Sequence, residues 1–441
     1  MRATRGRRPT GTRLGPVRRL RIQAGLALLL TVALLAVSWA SFDRSRAALH
    51  RLTAVSEPRA ALAADLYVQL ADLDAQHANA LVYGYDLPPQ PATAARQPQL
   101  VDDGVLAALT AQADQRRLAD DLAALAGLAG PDAVRGLNLA LDRYEEDGGV
   151  QDYARDAATT APLAGSPEPR ALTAYSVADA LLRHDLLPRV RALLDDADAQ
   201  VARDRDAAHG AAVRALVLLL LVGGVTLAQL LWWQRDLTAR YRRVVNPALL
   251  AATAAVLAFV LAGSLALSGA AGEISAAVDQ GYTPAARLAQ ARVAAADAEA
   301  VQSRWVVDPA YRALLAPQFA AATATVGRLA GEDPAAAGPV GVRLDAYRSA
   351  DRTLRQITLS GDPVAASRQL TGVSRGQTAF ACYDLAVTLQ RLAAERGAAF
   401  TAHADAAGAD LSGWTVLPAA VLLPVLVLVG LGARPRLAEY G

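Results

Sequence analysis

The chain has 441 residues, 44 basic against 42 acidic for a net charge of +2, and is 53% hydrophobic, more apolar than a soluble protein of this length needs. Every basic side chain is arginine, which excludes the lysine-dependent phosphate loops, Schiff-base enzymes and kinase folds. The single cysteine, Cys382, excludes an internal disulfide, a cysteine-rich zinc site and a CxxC redox pair.

The first 21 residues (1–21) hold eight arginines and no acid and read as a basic cytoplasmic arm. Ile22 to Phe42 is uncharged for 21 residues, long enough for a first span over 22–42. The basic flank and Ser38-Trp39-Ala40 also describe a signal peptide, but the apolar run outlasts the usual one of about 7–15 residues. A retained span is expected, with Trp39 and Trp414 as anchors at the outer interface.

Residues 43–213 read as the first extracytoplasmic bundle. Leu62, Leu66, Leu70, Leu73, His77 and Leu81 form one stripe at intervals of three or four, and Ser56-Glu57-Pro58 reads as a kink or restart. Gly84 to Gly104 contains four prolines and reads as a long surface loop. Helices follow over Val105–Ala129 and Asp132–Tyr144, with turns at Gly148-Gly149 and at 164–169. A last helix starts at Arg170 with a kink at Pro188 and leads into a second span over 214–234.

Gln234 to Asn246 (QRDLTARYRRVVN) carries Arg235, Arg240, Arg242 and Arg243 against one acid, Asp236. A short arginine-rich connection between apolar runs stays in the cytoplasm, so 235–246 is expected as the cytoplasmic loop that orients the chain. The third span follows at 247–270 and a second bundle at 271–410. Its breaks are expected at Tyr282-Thr283-Pro284, Asp308-Pro309, Asp333-Pro334 and Asp362-Pro363, its middle helices at Arg312–Leu329 and Gly341–Leu359, and its return helix at Gln377–Asp410. The fourth span is expected over 411–433, and a cytoplasmic tail, 434–441, carries Arg434 and Arg436.

The second half reads as a copy of the first. Leu141-Asp142-Arg143-Tyr144 resembles Leu344-Asp345-Ala346-Tyr347, and Pro58 matches Pro284. From proline to tyrosine is 86 residues in the first half and 63 in the second, a surplus close to the length of the proline-rich stretch. The expected fold class is all-α: four transmembrane helices, two extracytoplasmic antiparallel bundles and an internal duplication.

Little in the sequence points to catalysis. His50, His184, His209 and His403 are scattered, and a hydrogen-bonded core role suits His77. The acidic runs at Glu145-Glu146-Asp147 and Asp195-Asp196-Ala197-Asp198 lack calcium-loop spacing and read as solvated faces, and Cys382 reads as a small core residue. No catalytic, cofactor-binding or metal-binding residue is assigned, no cofactor is expected, and the protein is expected not to be an enzyme. The charge balance says nothing about nucleic acid, and no nucleic-acid partner is expected. Arg235, Arg240, Tyr241, Arg242 and Arg243 are the candidate contacts for an acidic cytoplasmic partner, alongside their role as topology anchors.

Four spans, two helical extracytoplasmic regions and short arginine-rich cytoplasmic pieces resemble the GlnX-like membrane proteins of actinobacteria. That resemblance implies a relay from an exported GlnH-type solute-binding protein to the cytoplasmic Ser/Thr kinase PknG. Each half also resembles the four-helix sensor module of chemotaxis receptors. The expected function is a non-enzymatic sensor or relay in the bacterial cell membrane, both termini cytoplasmic and both bundles outside. Its expected partners are membrane lipid, a solute-binding protein and a kinase, with homo-oligomerisation left open. The alternative is a structural or assembly subunit of a cell-envelope complex, with an envelope enzyme third.

Overall fold

The computed structural model describes residues 16–83, 98–146, 169–241 and 246–438, and among these every regular element is helical. In chain order the helices are α1 (Pro16–Arg51), α2 (Glu57–Tyr83), α3 (Pro98–Ala129), α4 (Pro131–Glu146), α5 (Pro169–Leu181), α6 (Leu187–Tyr241) and α7 (Pro247–Ala276). They continue as α8 (Thr283–Val307), α9 (Arg312–Gly331), α10 (Pro334–Leu359), α11 (Pro363–Thr371), α12 (Thr378–Leu411) and α13 (Leu417–Ala438).

Helix starts follow the Asx-Pro dipeptides. Asp308, Asp333 and Asp362 each accept a backbone N–H from Ala310, Ala335 and Ala365 at 3.0, 3.0 and 2.9 Å, and Asn246 does the same for Ala248 at 3.1 Å. In each case proline follows, where its missing N–H costs nothing and its fixed φ suits the first turn. The cap at Asp333 starts α10 seven residues before the expected Gly341. α3 begins at Pro98, so 98–104, expected as loop, is helix, while 84–97 lies outside the described residues, as do the turns expected at Gly148-Gly149 and 164–168.

At Pro58 and Pro284, where a kink or break is expected, the backbone stays helical and passes through a π-turn just before the proline. One widened π-turn, Leu52–Ser56, joins α1 to α2; Leu182–Leu186 joins α5 to α6 ahead of Pro188, and Ala277–Tyr282 joins α7 to α8. A proline inside an α-helix lacks the N–H for the carbonyl four residues back and collides with it. Those carbonyls belong to Ala54, His184 and Gln280, each inside a π-turn, where the wider coil relieves the conflict and the helix runs on.

The chain divides into two compact units. The first comprises residues 1–51, 204–275 and 403–441. Three helices are long and apolar enough to cross a membrane, within Arg18–Asn79, Pro169–Ala239 and Pro247–Val307. The fourth apolar helix, Leu417–Gly432, is shorter. Gly413 at φ +76° and the turn after α12 delay its start from the expected Leu411 to Leu417, with Pro418 in its first turn. Inside this unit Trp414 stacks on Phe42 at 4.4 Å between ring centres and meets Phe259 at 5.5 Å. Trp414 is therefore a core residue rather than the expected interface anchor, whereas Trp39 is exposed; likewise Trp232 faces outward and Trp233 is fully buried.

The second unit comprises residues 52–203 and 276–402. Both stretches expected as extracytoplasmic bundles fall within this one unit. The reason is visible in the side chains that α2 and α8 share: Arg292 pairs with Asp65 at 3.0 Å, Ser303 donates to Asn79 at 2.7 Å and the buried Ser367 of α11 donates to the Val82 carbonyl at 3.1 Å. Alanines along α8, among them Ala291, Ala294, Ala295 and Ala298, let the two long helices approach closely. All four chain crossings between the units, at 51/52, 203/204, 275/276 and 402/403, fall in helical backbone.

Candidate functional site

In the second unit a cavity of about 1010 Å³ opens between α2, α3, α8 and α12. One wall is a polar stripe on α2, Asp65, Gln69, Asp72, Gln76 and Asn79, whose spacings of four, three, four and three residues keep it on one helix face. It lies beside the leucine stripe, which points into the core with Leu66, Leu70 and Leu73 all at most 2% exposed. α8 supplies Arg292 and Glu299, and α3 supplies Arg117, Asp120 and Asp121. Gln69 donates to Asp121 at 2.6 Å and Gln76 to Asp72 at 3.2 Å, holding the acids in place.

The opposite wall is apolar. Val373, Phe380, Tyr383 and Val387 line it, and Val373, Tyr383 and Val387 are exposed. Between the walls the Cys382 thiol donates to Glu299 at 3.2 Å; burial, and then the Glu299 charge, push its pKa well up. A thiol held protonated in this way is not a nucleophile, which agrees with its reading as a small core residue.

Behind the α2 stripe a buried polar network ties α5 to α2 and α8. Tyr175 donates to Asp74 at 3.0 Å, and Arg183 reaches Asp74 at 3.4 Å and Asp179 at 2.7 Å. Arg304, 9% exposed, reaches the second oxygen of Asp179 at 3.0 Å. Burial, and then the Asp179 charge, raise the Asp74 pKa to about 6 against the opposing guanidiniums and the Tyr175 hydroxyl. His77 lies one turn further on and bonds the Tyr144 hydroxyl at 2.9 Å; burial lowers its pKa to about 4, the hydrogen-bonded core role expected of it.

The acidic run of α6 is partly tied down rather than wholly solvated: Asp196 pairs with Arg59 at 2.8 Å and Asp198 accepts from the Tyr282 hydroxyl at 2.5 Å. Glu145 and Glu146 end α4, and Asp147 lies outside the described residues. Among the described residues no cluster of histidine, cysteine or carboxylate side chains is placed to hold a metal ion.

The arginine-rich connection lies apart from the cavity in sequence and belongs to the first unit. α6 continues to Tyr241, so Arg235, Arg240 and Tyr241 are helical rather than loop, and Arg235 is exposed; Arg242 and Arg243 lie outside the described residues. Asp236 faces Arg19 of α1 at 4.0 Å, and Asn246, besides capping α7, donates to the Gly432 carbonyl at 3.1 Å. Sequence reasoning missed the cavity although half of its signal was present: the polar stripe on α2 has the same helical period as the leucine stripe, and it reads as a solvent face until α8 is brought against it.

No known protein family matches the chain, and no curated protein and no solved structure matches it either.

Proposed function

We propose that the protein is a non-enzymatic membrane sensor or relay, in which occupation of the cavity by an extracytoplasmic ligand, free or handed over by a solute-binding protein, is passed to a cytoplasmic partner such as a kinase. One observation carries this reading: of the four helices that wall the cavity, α2, α8 and α12 are continuous in the chain with segments of the first unit, while α3 belongs wholly to the second. α2 follows α1 and α8 follows α7 through π-turns, and α12 itself runs from the cavity to Leu411. A change in the spacing of these walls is a change in the pose of stiff helices, and packed helices shift between discrete arrangements rather than deform continuously. π-turns are frequent where helices serve function, and two of them sit at the crossings of the unit boundary.

In this reading the first unit sits in the cell membrane with four spans, the second unit lies outside, and the termini and the segment around Arg235, Arg240, Tyr241, Arg242 and Arg243 face the cytoplasm, where they meet an acidic partner. The paired π-turns, with Tyr144 on His77 and Tyr347 on Gln302 at 2.9 and 3.0 Å, fit an internal duplication of span, helices and span.

The test needs no ligand. Ala386 lines the cavity, so Ala386→Trp fills it, with Ala386→Ser as control. An environment-sensitive fluorophore on Arg235→Cys in the reconstituted full chain is expected to shift its emission with the tryptophan and not with the serine. Identical emission in both removes the relay and leaves the scaffold reading. Replacing all four arginines of the segment with lysine keeps charge and topology but removes bidentate geometry, and is expected to weaken partner pull-down about tenfold. Unchanged pull-down would make these arginines anchors only.

A further inference from the structure

We propose that the cavity of the second unit binds a linear aliphatic polyamine, its ammonium groups on the acidic wall and its methylene chain on the apolar one. The inference rests on the sensor reading for its biological meaning, but its chemistry stands on the cavity itself.

Charge comes first. Asp65, Asp72, Asp120, Asp121 and Glu299 face Arg117 and Arg292 across the cavity, an excess of three negative charges in a chain whose net charge is +2. A cleft of one sign with low-dielectric walls concentrates counter-ions of the other sign. Geometry then decides which cation. The carboxylates do not converge on a point, since no group of them could hold a metal ion among the described residues. Asp65 and Asp72 are seven residues apart on one face of α2, about 10 Å along the helix, so the negative charge is laid out as a line. A line of acids is matched by several ammonium groups spaced along a chain rather than by one ion.

The second wall is independent of the acids and points the same way. Tyr383 is 68% exposed, Val373 59% and Val387 40%, with Tyr383 and Val387 one turn apart on α12. Large apolar side chains left exposed inside a recess mark a binding groove. A metal ion or a hydrated inorganic cation has no use for such a wall, whereas methylene groups bury against valine and an ammonium sits favourably over an aromatic face. An amino-acid zwitterion would bring a carboxylate into a cavity with three more acids than arginines, and one of those arginines, Arg292, is already engaged by Asp65 at 3.0 Å.

The experiment is titration calorimetry of the full chain in nanodiscs of neutral lipid, so that amines are not drawn to anionic headgroups, with spermidine as the probe. Saturable binding is expected that weakens as salt rises. Asp72→Asn combined with Glu299→Gln is expected to weaken it at least tenfold. Tyr383→Ala should weaken it severalfold while Tyr383→Phe keeps it, a split that a merely structural tyrosine would not produce. Tyr383 is exposed enough that this pair keeps the question open to refutation should the acid double variant fail to fold. Absence of saturable binding, equal binding by Mg²⁺ or by glutamine, or indifference to both sets of substitutions each overturns the proposal. Spermidine binding without any shift of the Arg235→Cys fluorophore would remove the relay and leave the site; a fluorophore shift with Ala386→Trp but no spermidine binding would do the reverse.

Discussion

Asp74 and His77 stand one turn apart on α2 and titrate in opposite senses. Asp74, 2% exposed, has its pKa raised to about 6, so the folded protein keeps a proton that the unfolded chain gives up near pH 4. Its contribution to stability is greatest in acid and is lost as pH rises through about 6. His77, lowered to about 4, stays neutral in the fold while the unfolded chain protonates near pH 6.5, so its contribution is present above that pH and is lost as pH falls towards 4. In wild type the two partly cancel between pH 4 and 6. His77→Gln should make the Tm fall less on acidification than wild type, and Asp74→Asn should make it fall more steeply while leaving neutral stability unchanged or higher. Three parallel curves from a pH series of thermal unfolding would refute this assignment. Asp333 carries two roles at once, capping α10 and receiving a fork from Arg396 at 2.7 and 2.8 Å that lowers its pKa. Asp333→Ala should cost about 1–3 kcal/mol, read as a lower denaturation midpoint, with Asp333→Asn losing less because the cap survives.

At the level of whole helices the π-turns set where the long elements can approach one another. Gly281 lies in the turn between α7 and α8, and a Cβ there would stand 2.5 Å from the backbone of Phe400 on α12. Backbone cannot move aside as the tip of a side chain can, so Gly281→Ala is expected to cost roughly 1–3 kcal/mol. Gly272, also helical, has open space around it, and Gly272→Ala should be neutral or slightly stabilising, since alanine is the better helix former. Equal thermal stability of the two variants would mean that α12 does not press on the turn. The same close approach places Tyr282 edge-on to Phe400 with ring centres 6.4 Å apart.

On the scale of the molecule, the union of 52–203 with 276–402 in one unit constrains topology more tightly than arginine counting does. Side chains such as Arg292 and Asp65 cannot pair across a bilayer, so under the proposed membrane placement both stretches lie on one side and the chain between them crosses an even number of times. α6 and α7 are each long and apolar enough to supply one of two such crossings. Cysteines placed at the exposed Arg116 and Gln356 should therefore react alike with an impermeant reagent in intact cells, against a low background because the only native thiol, Cys382, is buried. Labelling of one and not the other would break the single unit apart. Labelling of both only after lysis would keep the unit and invert the orientation.

The sequence by itself determined that the chain is helical and roughly where the helices lie, but not every start: α3 and α10 each begin seven residues before the expected position. Stripes at three-to-four spacing, Asx-Pro caps and uncharged runs are local features, and local hydrogen bonding and hydropathy are enough to read them, as at Asp308, Asp333 and Asp362. It could not show that the backbone passes through a π-turn just before these prolines, because relief of the clash at Pro58 or Pro284 depends on neighbours that hold the helix on course. Nor could it show that both stretches fall within one unit. The contacts that decide this, Arg292 with Asp65, Ser303 with Asn79 and Arg304 with Asp179, join residues 125 to 227 positions apart. The cavity is the product of that union: Asp72 on α2 and Tyr383 on α12 are each unremarkable on an isolated helix, and only tertiary packing turns a polar face and an apolar face into two walls of one site.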